Sequence, residues 1–522
     1  MNIYTEIIEL IRSGKIRNGE DLHRAKIKFA ARHRLSKIPS NTEIMAHVPE
    51  EYLEEFKEIL KIKPVRTISG VAVVSIMTSP APCPHGKCIY CPGGVELNTP
   101  QSYTGKEPAA MRAIQNNFNA YSQTCARIRQ IEEIGHSADK IDLIIMGGTF
   151  TSRSPEYQRE FVKGAFDAMN GVIADTLEEA HRLNESAKHR CIGMTVETRP
   201  DWFKREHADN VLALGATRVE IGVQILDDDV LKFVRRGHTV LDTVMASRTA
   251  KDAGLKLGYH IMPGLPNSSP QKDLENFRKM FENPDFRPDM LKIYPCLVIQ
   301  NTELYEMWKR GAYRPYSTEE AADLIAKMKQ MVPRYVRIQR IQRDIPAYLI
   351  VDGVKKSNLR EIVHEVLEKE GKRCMCIRCR EIGHQMLKSG KGLASTSVNV
   401  LEYAASGGKE YFISIDTEED LLIGYTRLRI PSETRWRKEM QEPCGIIREL
   451  KVFGQVVGIG RNANTRYQQQ HKGFGKQLLD TAAGILTGMG IHKMLVTSGV
   501  GAREYYRKIG FERCGVYMGK TL

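Results

Sequence analysis

No apolar run in the 522 residues approaches the roughly 20 that a helix needs to cross a membrane, so no segment reads as a span. The start, Met1-Asn2-Ile3-Tyr4-Thr5-Glu6, lacks the basic-then-apolar order of a signal peptide, and a cytoplasmic protein without a membrane partner is expected. Acidic residues are in short supply. Lys and Arg number 77 against 63 Asp and Glu, a formal charge of +14 with a pI near 9.1. That surplus disfavours a basic peptide as substrate and favours a polyanion such as nucleic acid. The cysteines are not spread as a disulfide framework: six of the 11 fall in two tight clusters, the pattern of metal binding in a reducing compartment. The length excludes a single core and predicts two or three domains.

The first cluster is Pro82-Cys83-Pro84-His85-Gly86-Lys87-Cys88-Ile89-Tyr90-Cys91. Three close thiolates can hold an iron-sulfur cluster and leave one iron without a protein ligand, whereas clusters that only transfer electrons take four cysteines. The open iron can chelate the amino and carboxylate groups of S-adenosylmethionine (SAM), whose reductive cleavage gives a 5′-deoxyadenosyl radical. A zinc knuckle is the alternative, because thiolates also suit zinc. Two downstream motifs favour SAM. The apolar run Ile141 to Met146 reads as a buried parallel strand ending in Gly147-Gly148-Thr149, where missing side chains admit a ligand close to the backbone. A second run, Cys191 to Val196, ends in Glu197-Thr198-Arg199-Pro200-Asp201 and puts a carboxylate at a strand's carboxyl end, where barrel enzymes keep their sites.

Around these motifs the chain divides into four segments. Residues 1–65 read as a basic helical arm for RNA, carrying Arg12, Lys15, Arg17, Arg24, Lys26, Lys28, Arg32, Arg34 and Lys37; a solvated helical face is the alternative. Residues 66–350 alternate strand-like runs with helices, the strands being Val71–Ile76, Ile141–Met146, Cys191–Val196, Arg218–Val223, Leu255–Met262 and Leu291–Tyr294. Six repeats predict an α/β fold with a partial (β/α)6 barrel. Residues 351–385 form a linker with Cys374, Cys376 and Cys379, preceded by His364 and followed by His384, a set able to hold structural zinc with the fourth ligand open.

Residues 386–522 carry a separate cofactor signal. Gln470-His471-Lys472-Gly473-Phe474-Gly475 opens a helix whose apolar face is Leu478, Leu479, Ala482, Ala483 and Leu486, after a strand-like stretch from Arg448 to Val457. Glycines at a helix start expose N–H groups to a pyrophosphate, and the helix dipole favours its charge; acetyltransferases of the GNAT class hold coenzyme A in this way. Further on, Glu504-Tyr505-Tyr506-Arg507-Lys508-Ile509-Gly510-Phe511 reads as a helix capped by glycine, with a tyrosine hydroxyl for a thioester sulfur.

Taken together, the chain from about residue 65 resembles the Elongator catalytic-subunit family, the radical-SAM acetyltransferases of tRNA wobble uridine, in their stand-alone archaeal or bacterial form. The resemblance rests on Gln101-Ser102-Tyr103-Thr104-Gly105, Gly147-Gly148-Thr149-Phe150, Glu197-Thr198-Arg199-Pro200-Asp201, Arg236-Gly237-His238-Thr239, Lys292-Ile293-Tyr294-Pro295 and Gln342-Arg343-Asp344-Ile345-Pro346. It implies that Cys83, Cys88 and Cys91 bind a [4Fe-4S] cluster. It also implies that Lys140 reaches acetyl-CoA, and that Glu449, Leu450, Lys451 and Val452, the turn Phe474-Gly475-Lys476 and Tyr506 complete the acetyl-CoA site. Two departures stand out: the first cysteine gap is longer than the usual three residues, and the Cys374-Cys376-Cys379 set is missing from eukaryotic members, which makes zinc an accessory.

The activity implied by the resemblance is radical chemistry on the acetyl methyl of acetyl-CoA. The resulting carbon adds to C5 of uridine, and thioester hydrolysis leaves a carboxymethyl group, with both domains serving one cavity. The partners are tRNA, through its anticodon stem-loop, and an electron donor, with the protein working as a monomer or homodimer without accessory subunits. The arm together with Arg334, Arg337, Arg340 and Arg343 is positioned to grip phosphates. Two other classes remain open: a protein lysine acetyltransferase acting through the GNAT region, and a non-catalytic RNA-binding protein.

Overall fold

The computed structural model describes residues 3–33, 38–45, 47–52, 56, 59–60, 70–382, 395–453 and 473–522. Arg34, Lys37, His384 and the Gln470-His471-Lys472 part of the turn before the last long helix lie outside these residues. The amino-terminal helices Ile3–Arg12, Gly19–Arg32 and Asn41–Met45 bury their own small core of Ile7, Ile8, Ile11, Leu22, Ile44 and Phe56. Asn18 starts the second helix by accepting from the backbone N–H groups of Glu20 and Asp21.

Seven strands form the first sheet: β1 (Ala72–Met77), β2 (Lys140–Met146), β3 (Arg190–Thr198), β4 (Arg218–Gln224), β5 (Lys256–Ile261), β6 (Met290–Ile293) and β8 (Arg337–Ile341), in that spatial order. Every neighbouring pair is parallel, and β1 and β8 remain as edges, so the barrel is partial, as expected. The short strands β7 (Val298–Ile299) and β9 (Ile350–Asp352) pair antiparallel to the side. Helices cover the outer face. The helix Pro155–Asn170 is representative: Ser154 caps it, Pro155 opens it, and it buries Phe161, Val162, Ala165, Phe166 and Met169, each large side chain contributing about 1.5–3 kcal/mol by burial.

The six predicted strands are all present, and β8 is an addition. Its Arg337-Ile338-Gln339-Arg340-Ile341 alternation hides it, because the arginines read as an exposed phosphate grip. Instead, Arg334 pairs with Asp420, Arg337 with Glu381 at 2.9 Å and Arg340 with Asp344, while Arg343 donates to the carbonyl of Ser102. All four are engaged within the protein.

The second sheet comprises β10 (Thr396–Ala405), β11 (Gly408–Thr417), β12 (Leu422–Ile430), β13 (Gly445–Val452), β14 (Lys493–Val496), β15 (Glu512–Cys514) and β16 (Tyr517–Thr521), in the order β10-β11-β12-β13-β14-β16-β15. All pairs are antiparallel except β13 and β14. This parallel pair bonds only from Gly445 to Ile447 and then splays, and the helix Phe474–Gly488 packs Leu478, Leu479, Ala482 and Leu486 on the sheet. The two sheets meet across a buried charge network. Arg448 of β13 donates to both carboxylate oxygens of Asp289, at 2.6 and 2.7 Å, and to Glu410 at 2.7 Å. Arg429 donates to Asp252 at 2.6 Å and Glu410 at 2.9 Å. Asp252 and Asp289 belong to the barrel's amino-terminal end, so that end docks on the second sheet.

Candidate active site

The cysteine loop follows β1 and lies over the carboxyl-terminal ends of the barrel strands. Its backbone is pinned on both sides, since Ile89 donates to the carbonyl of Val234 at 3.3 Å and accepts from Leu304 at 2.9 Å. Cys83 is half-buried and Cys88 and Cys91 are buried. The sulfur of Cys88 lies 3.2 Å from His85 Nε2 and 3.7 Å from Arg236; that of Cys91 accepts from the N–H of Ser102 at 3.2 Å. Burial pushes the Cys83 and Cys91 thiols up, so a metal must draw off their protons.

The donor sets differ in spread. The sulfurs of Cys374, Cys376 and Cys379 all lie within 4.8 Å of one another, as the shell of a single ion requires, whereas those of Cys83, Cys88 and Cys91 do not form such a group. The wider triad fits a polynuclear cluster: Cys83 and Cys91 face one chamber with Gly148, Thr149 and Glu197, and the Cys88 sulfur lies against His85 and Arg236. Gly147 has φ +130° and a Cβ there would sit 2.0 Å from Thr78 Oγ1, so only glycine allows this turn to close under the loop. Gly148 follows, where an added Cβ would sit 3.9 Å from Cys83 Sγ, and Thr149 Oγ1 lies 3.7 Å from the same sulfur.

Beneath the cysteines the chamber floor is charged. Tyr103 donates to Glu197 at 2.9 Å, Lys292 donates to Glu197 at 3.1 Å and pairs with Glu220, and His260 Nε2 lies 2.9 Å from Glu220. Glu197, Glu220 and His260 are close enough to share an ion, but the Lys292 ammonium already stands between the two carboxylates. Burial works to raise the Glu220 carboxyl, and Lys292, with His260 and Arg218, more than offsets it and holds it well below the usual range. Glu197 was legible in the sequence. Lys292 stood there only as part of the Lys292-Ile293-Tyr294-Pro295 motif with no role assigned, and Glu220 and His260 were not singled out, although charged residues inside apolar strand runs are the signal that marks them.

A second cavity of about 550 Å³ opens where β13 and β14 splay. One wall is Glu449, Leu450, Lys451 and Val452; another is Gly473, Gly475 and Lys476 at the helix start, with Tyr505 and Tyr506 opposite. Phe474 is in the turn but packs against the core. The third wall is the barrel's amino-terminal end, with Lys140, Asp142, Gly193, Arg218 and Lys256. The structure thus brings Lys140 to the predicted cleft. Burial lowers the Lys140 ammonium and raises the Tyr506 hydroxyl. Burial also works to raise the Glu449 carboxyl, but Arg427, at 2.9 Å, and Lys256 hold it at about 2. The two cavities stand at opposite ends of the barrel strands, so the single open cavity expected from sequence is replaced by two chambers with the lumen between them.

The Cys374-Cys376-Cys379 turn lies beside β8, where Ile377 donates to the carbonyl of Val336 at 2.9 Å. His364 Nε2 is 4.0 Å from Cys379 Sγ and 3.0 Å from Lys329 Nζ. Arg380, in the same turn, reaches Asp416 of the second sheet at 2.8 Å.

The profile of the Radical SAM superfamily matches residues 79–280, its C-terminal domain residues 288–369, and the ELP3 N-terminal domain residues 1–68. The radical SAM match implies a [4Fe-4S] cluster and SAM. The chain is 51% identical to a tRNA uridine(34) acetyltransferase of Methanocaldococcus jannaschii over 100% of its length and 97% of the relative's. It is 42% identical to human Elongator complex protein 3, over 100% of this chain and 96% of that one. The structure of an archaeal Elp3 from Methanocaldococcus infernus, with an N-terminal deletion, superposes with a TM-score of 0.78 at 48% identity, covering 87% of this chain and 100% of that one. At this identity over the whole length, the chain belongs to the family of the tRNA uridine(34) acetyltransferases and Elongator complex protein 3.

Proposed function

We propose that this protein modifies tRNA at C5 of the wobble uridine, in the cytoplasm, using radical chemistry to transfer a two-carbon unit from acetyl-CoA. The observation that carries this reading is the closure of the splayed-strand cleft by the barrel. The side from which a peptide lysine would approach is occupied by Lys140, Asp142, Gly193, Arg218 and Lys256, so an acetyl group held there is presented to the barrel. That arrangement disfavours a lysine acetyltransferase.

Each site residue then has a task. Cys83, Cys88 and Cys91 would hold the cluster, and Gly147, Gly148, Thr149 and Glu197 would hold SAM. When bound, the cluster supplies one electron to SAM, whose cleavage yields a radical able to take hydrogen from the acetyl methyl. Gly473, Gly475 and Lys476 would receive the pyrophosphate at the helix start, and Glu449–Val452 would run beside the pantetheine. Lys140 would approach from the barrel side, and the Tyr506 hydroxyl, kept protonated by burial, would donate to the thioester sulfur. Arg236 and Arg199 flank the cysteines and offset the negative charge that collects there.

The test is anaerobic reconstitution with SAM, reductant, methyl-deuterated acetyl-CoA and a tRNA transcript with uridine at the wobble position. Deuterium is expected in 5′-deoxyadenosine, together with modified uridine by mass spectrometry; modified uridine with unlabelled 5′-deoxyadenosine would refute the reading. Gly475→Glu is expected to weaken acetyl-CoA binding by roughly 30-fold, about 2 kcal/mol, by placing a negative charge at the helix start. A Cβ there also meets Tyr505 Oη at 2.9 Å. Calorimetry gives the affinity, and iron content should not change.

For the second cysteine set we propose structural zinc held by Cys374, Cys376 and Cys379, with the fourth ligand left open. Its place between β8 and the second sheet gives it a stapling role. Cys376→Ala should remove zinc but not iron and, at a cost of about 2 kcal/mol, lower Tm by roughly 4–8 °C. Metal analysis of the wild-type protein that finds no zinc would dismiss the site.

A further inference from the structure

The interior of a (β/α) barrel is normally a packed core filled by layers of bulky side chains, not a pore. Here the inner face of β2 is only half-buried at Asp142, Ile144 and Met146, while the outward residues between them are fully buried. On β1, Val73 is 46% exposed between Ala72 and Val74, both at 0%. The register pairs Val73 with Asp142 and Ser75 with Ile144. Since side chains alternate across a strand, Val73 and Ser75 share the inner face.

This open interior is continuous with a third cavity, of about 900 Å³, that also runs out along the helices Pro108–Gln115 and Ala120–Glu133; its barrel-side lining includes Val73, Ser75, Ile144, Glu220, Lys292 and Gln339. The inner-face residues of single strands pass through the three cavities in order. Along β2, Asp142 lines the acetyl-CoA cleft, Ile144 the lumen, and Met146 both the lumen and the cluster chamber. Along β4, Arg218, Glu220 and Gly222 do the same. The lumen and the cluster chamber share Glu197 and Lys292 in their walls. The narrow point lies lower. There Arg218 bridges Asp142 at 3.2 Å and Glu220 at 3.3 Å, filling the β4 side and leaving the β1 side to Val73.

We propose that the lumen is a conduit that carries the acetyl-bearing pantetheine arm from the splayed-strand cleft, past Val73 and Ile144, to the cluster chamber. This rests on the acetyl-CoA reading of the cleft. The six steps from Lys140 to Met146 along β2 span roughly 20 Å at 3.3 Å per residue, a distance suited to a long flexible arm anchored by its nucleotide at the far end. Lined by Val73 and Ile144 on one side and paired charges on the other, the conduit passes an uncharged thioester.

Two variants at one position test this. Val73→Trp fills the lumen at a site with room for it. Affinity for 3′-phospho-ADP and SAM cleavage without acetyl-CoA should be unchanged, while deuterium transfer from methyl-deuterated acetyl-CoA to 5′-deoxyadenosine falls about 100-fold through misplacement of the reacting carbon; Val73→Ala should transfer as the wild type does. Val73→Cys needs no radical chemistry. Alkylation at position 73, followed by peptide mass spectrometry on the full protein, should be blocked by acetyl-CoA and not by 3′-phospho-ADP, which lacks the arm. Wild-type transfer in Val73→Trp, or alkylation at position 73 that acetyl-CoA leaves unaltered, overturns the conduit. Protection at position 73 with no deuterium transfer in the wild type supports the conduit and removes the radical reading instead.

Discussion

Replacing Cys88 with alanine should strip the protein of its iron and reduce 5′-deoxyadenosine formation to the level without enzyme, while acetyl-CoA binding stays at wild-type strength. The effect should be complete because, on the proposed assignment, the cluster would have three protein ligands and loss of one would leave a second iron open. The surroundings of Cys88 sharpen the loss. Arg236 is buried, its Nη1 lies 3.7 Å from the Cys88 sulfur, and among the described residues no carboxylate pairs with it. A buried cation without a counter-charge is expensive, so the variant loop loses both its metal and the thiolate opposite Arg236. The damage stays local. The backbone bonds of Ile89 to Val234 and Leu304 hold the loop independently of the sulfur, and the splayed-strand cleft is at the other end of the barrel. Iron and acid-labile sulfide analysis, electron paramagnetic resonance after reduction, and calorimetry with acetyl-CoA separate these claims. Retained iron with full SAM cleavage in the alanine variants of Cys83, Cys88 and Cys91 would remove the cluster assignment.

The parts of this molecule that read clearly from sequence are those where chemistry forces a local pattern. Three thiolates in nine positions, a glycine pair at a strand end and glycines at a helix start are visible without a fold, because each needs particular residues in a short stretch. Strands β2 and β3 read well for a similar reason: both faces are largely apolar over five or six residues. β8 was hidden because its arginines and glutamine alternate with isoleucine, and that alternation describes a lumen-lining strand as well as it describes an exposed one. The same ambiguity concealed Glu220 and the role of Lys292. A charged residue in a strand run is evidence about what stands opposite, and the partner, 40 to 95 residues away, is set by barrel closure. The separation of the two chambers was likewise beyond the sequence, since it depends on which end of the barrel meets the second sheet, and that is decided by the Arg448 and Arg429 contacts.

Those contacts make Asp289 the residue whose loss should cost the most stability. It is fully buried, takes two bonds from Arg448 and lies 3.5 Å from Arg427 and 3.9 Å from Lys251. Its Oδ2 also accepts from the N–H of Leu257 at 2.8 Å, which ties the charge network to the floor of the barrel. Asp289→Asn keeps the shape and removes the charge, leaving three buried cations with Glu410 and Glu449 as their remaining counter-charges. Breaking a buried pair by removing one partner costs about 3–5 kcal/mol, more than the pair itself contributes, because the surviving charge is stranded. The cost should show as an earlier unfolding midpoint in urea. Adding Arg448→Met should recover part of it, since the methionine takes away the stranded guanidinium and keeps much of its volume; simple additivity in this cycle would mean that the two residues do not act as a pair. The pH dependence has a definite sign. Burial works to raise the Asp289 carboxyl, and Arg448, followed by Lys251 and Arg427, overcomes it, so the folded value lies below the unfolded one. Stability from this group is therefore full above the unfolded value of about 3.9 and is lost as pH falls below it. The wild-type protein should lose stability steeply below about pH 4, and Asp289→Asn, which has no proton to take up there, should show a shallower acid limb.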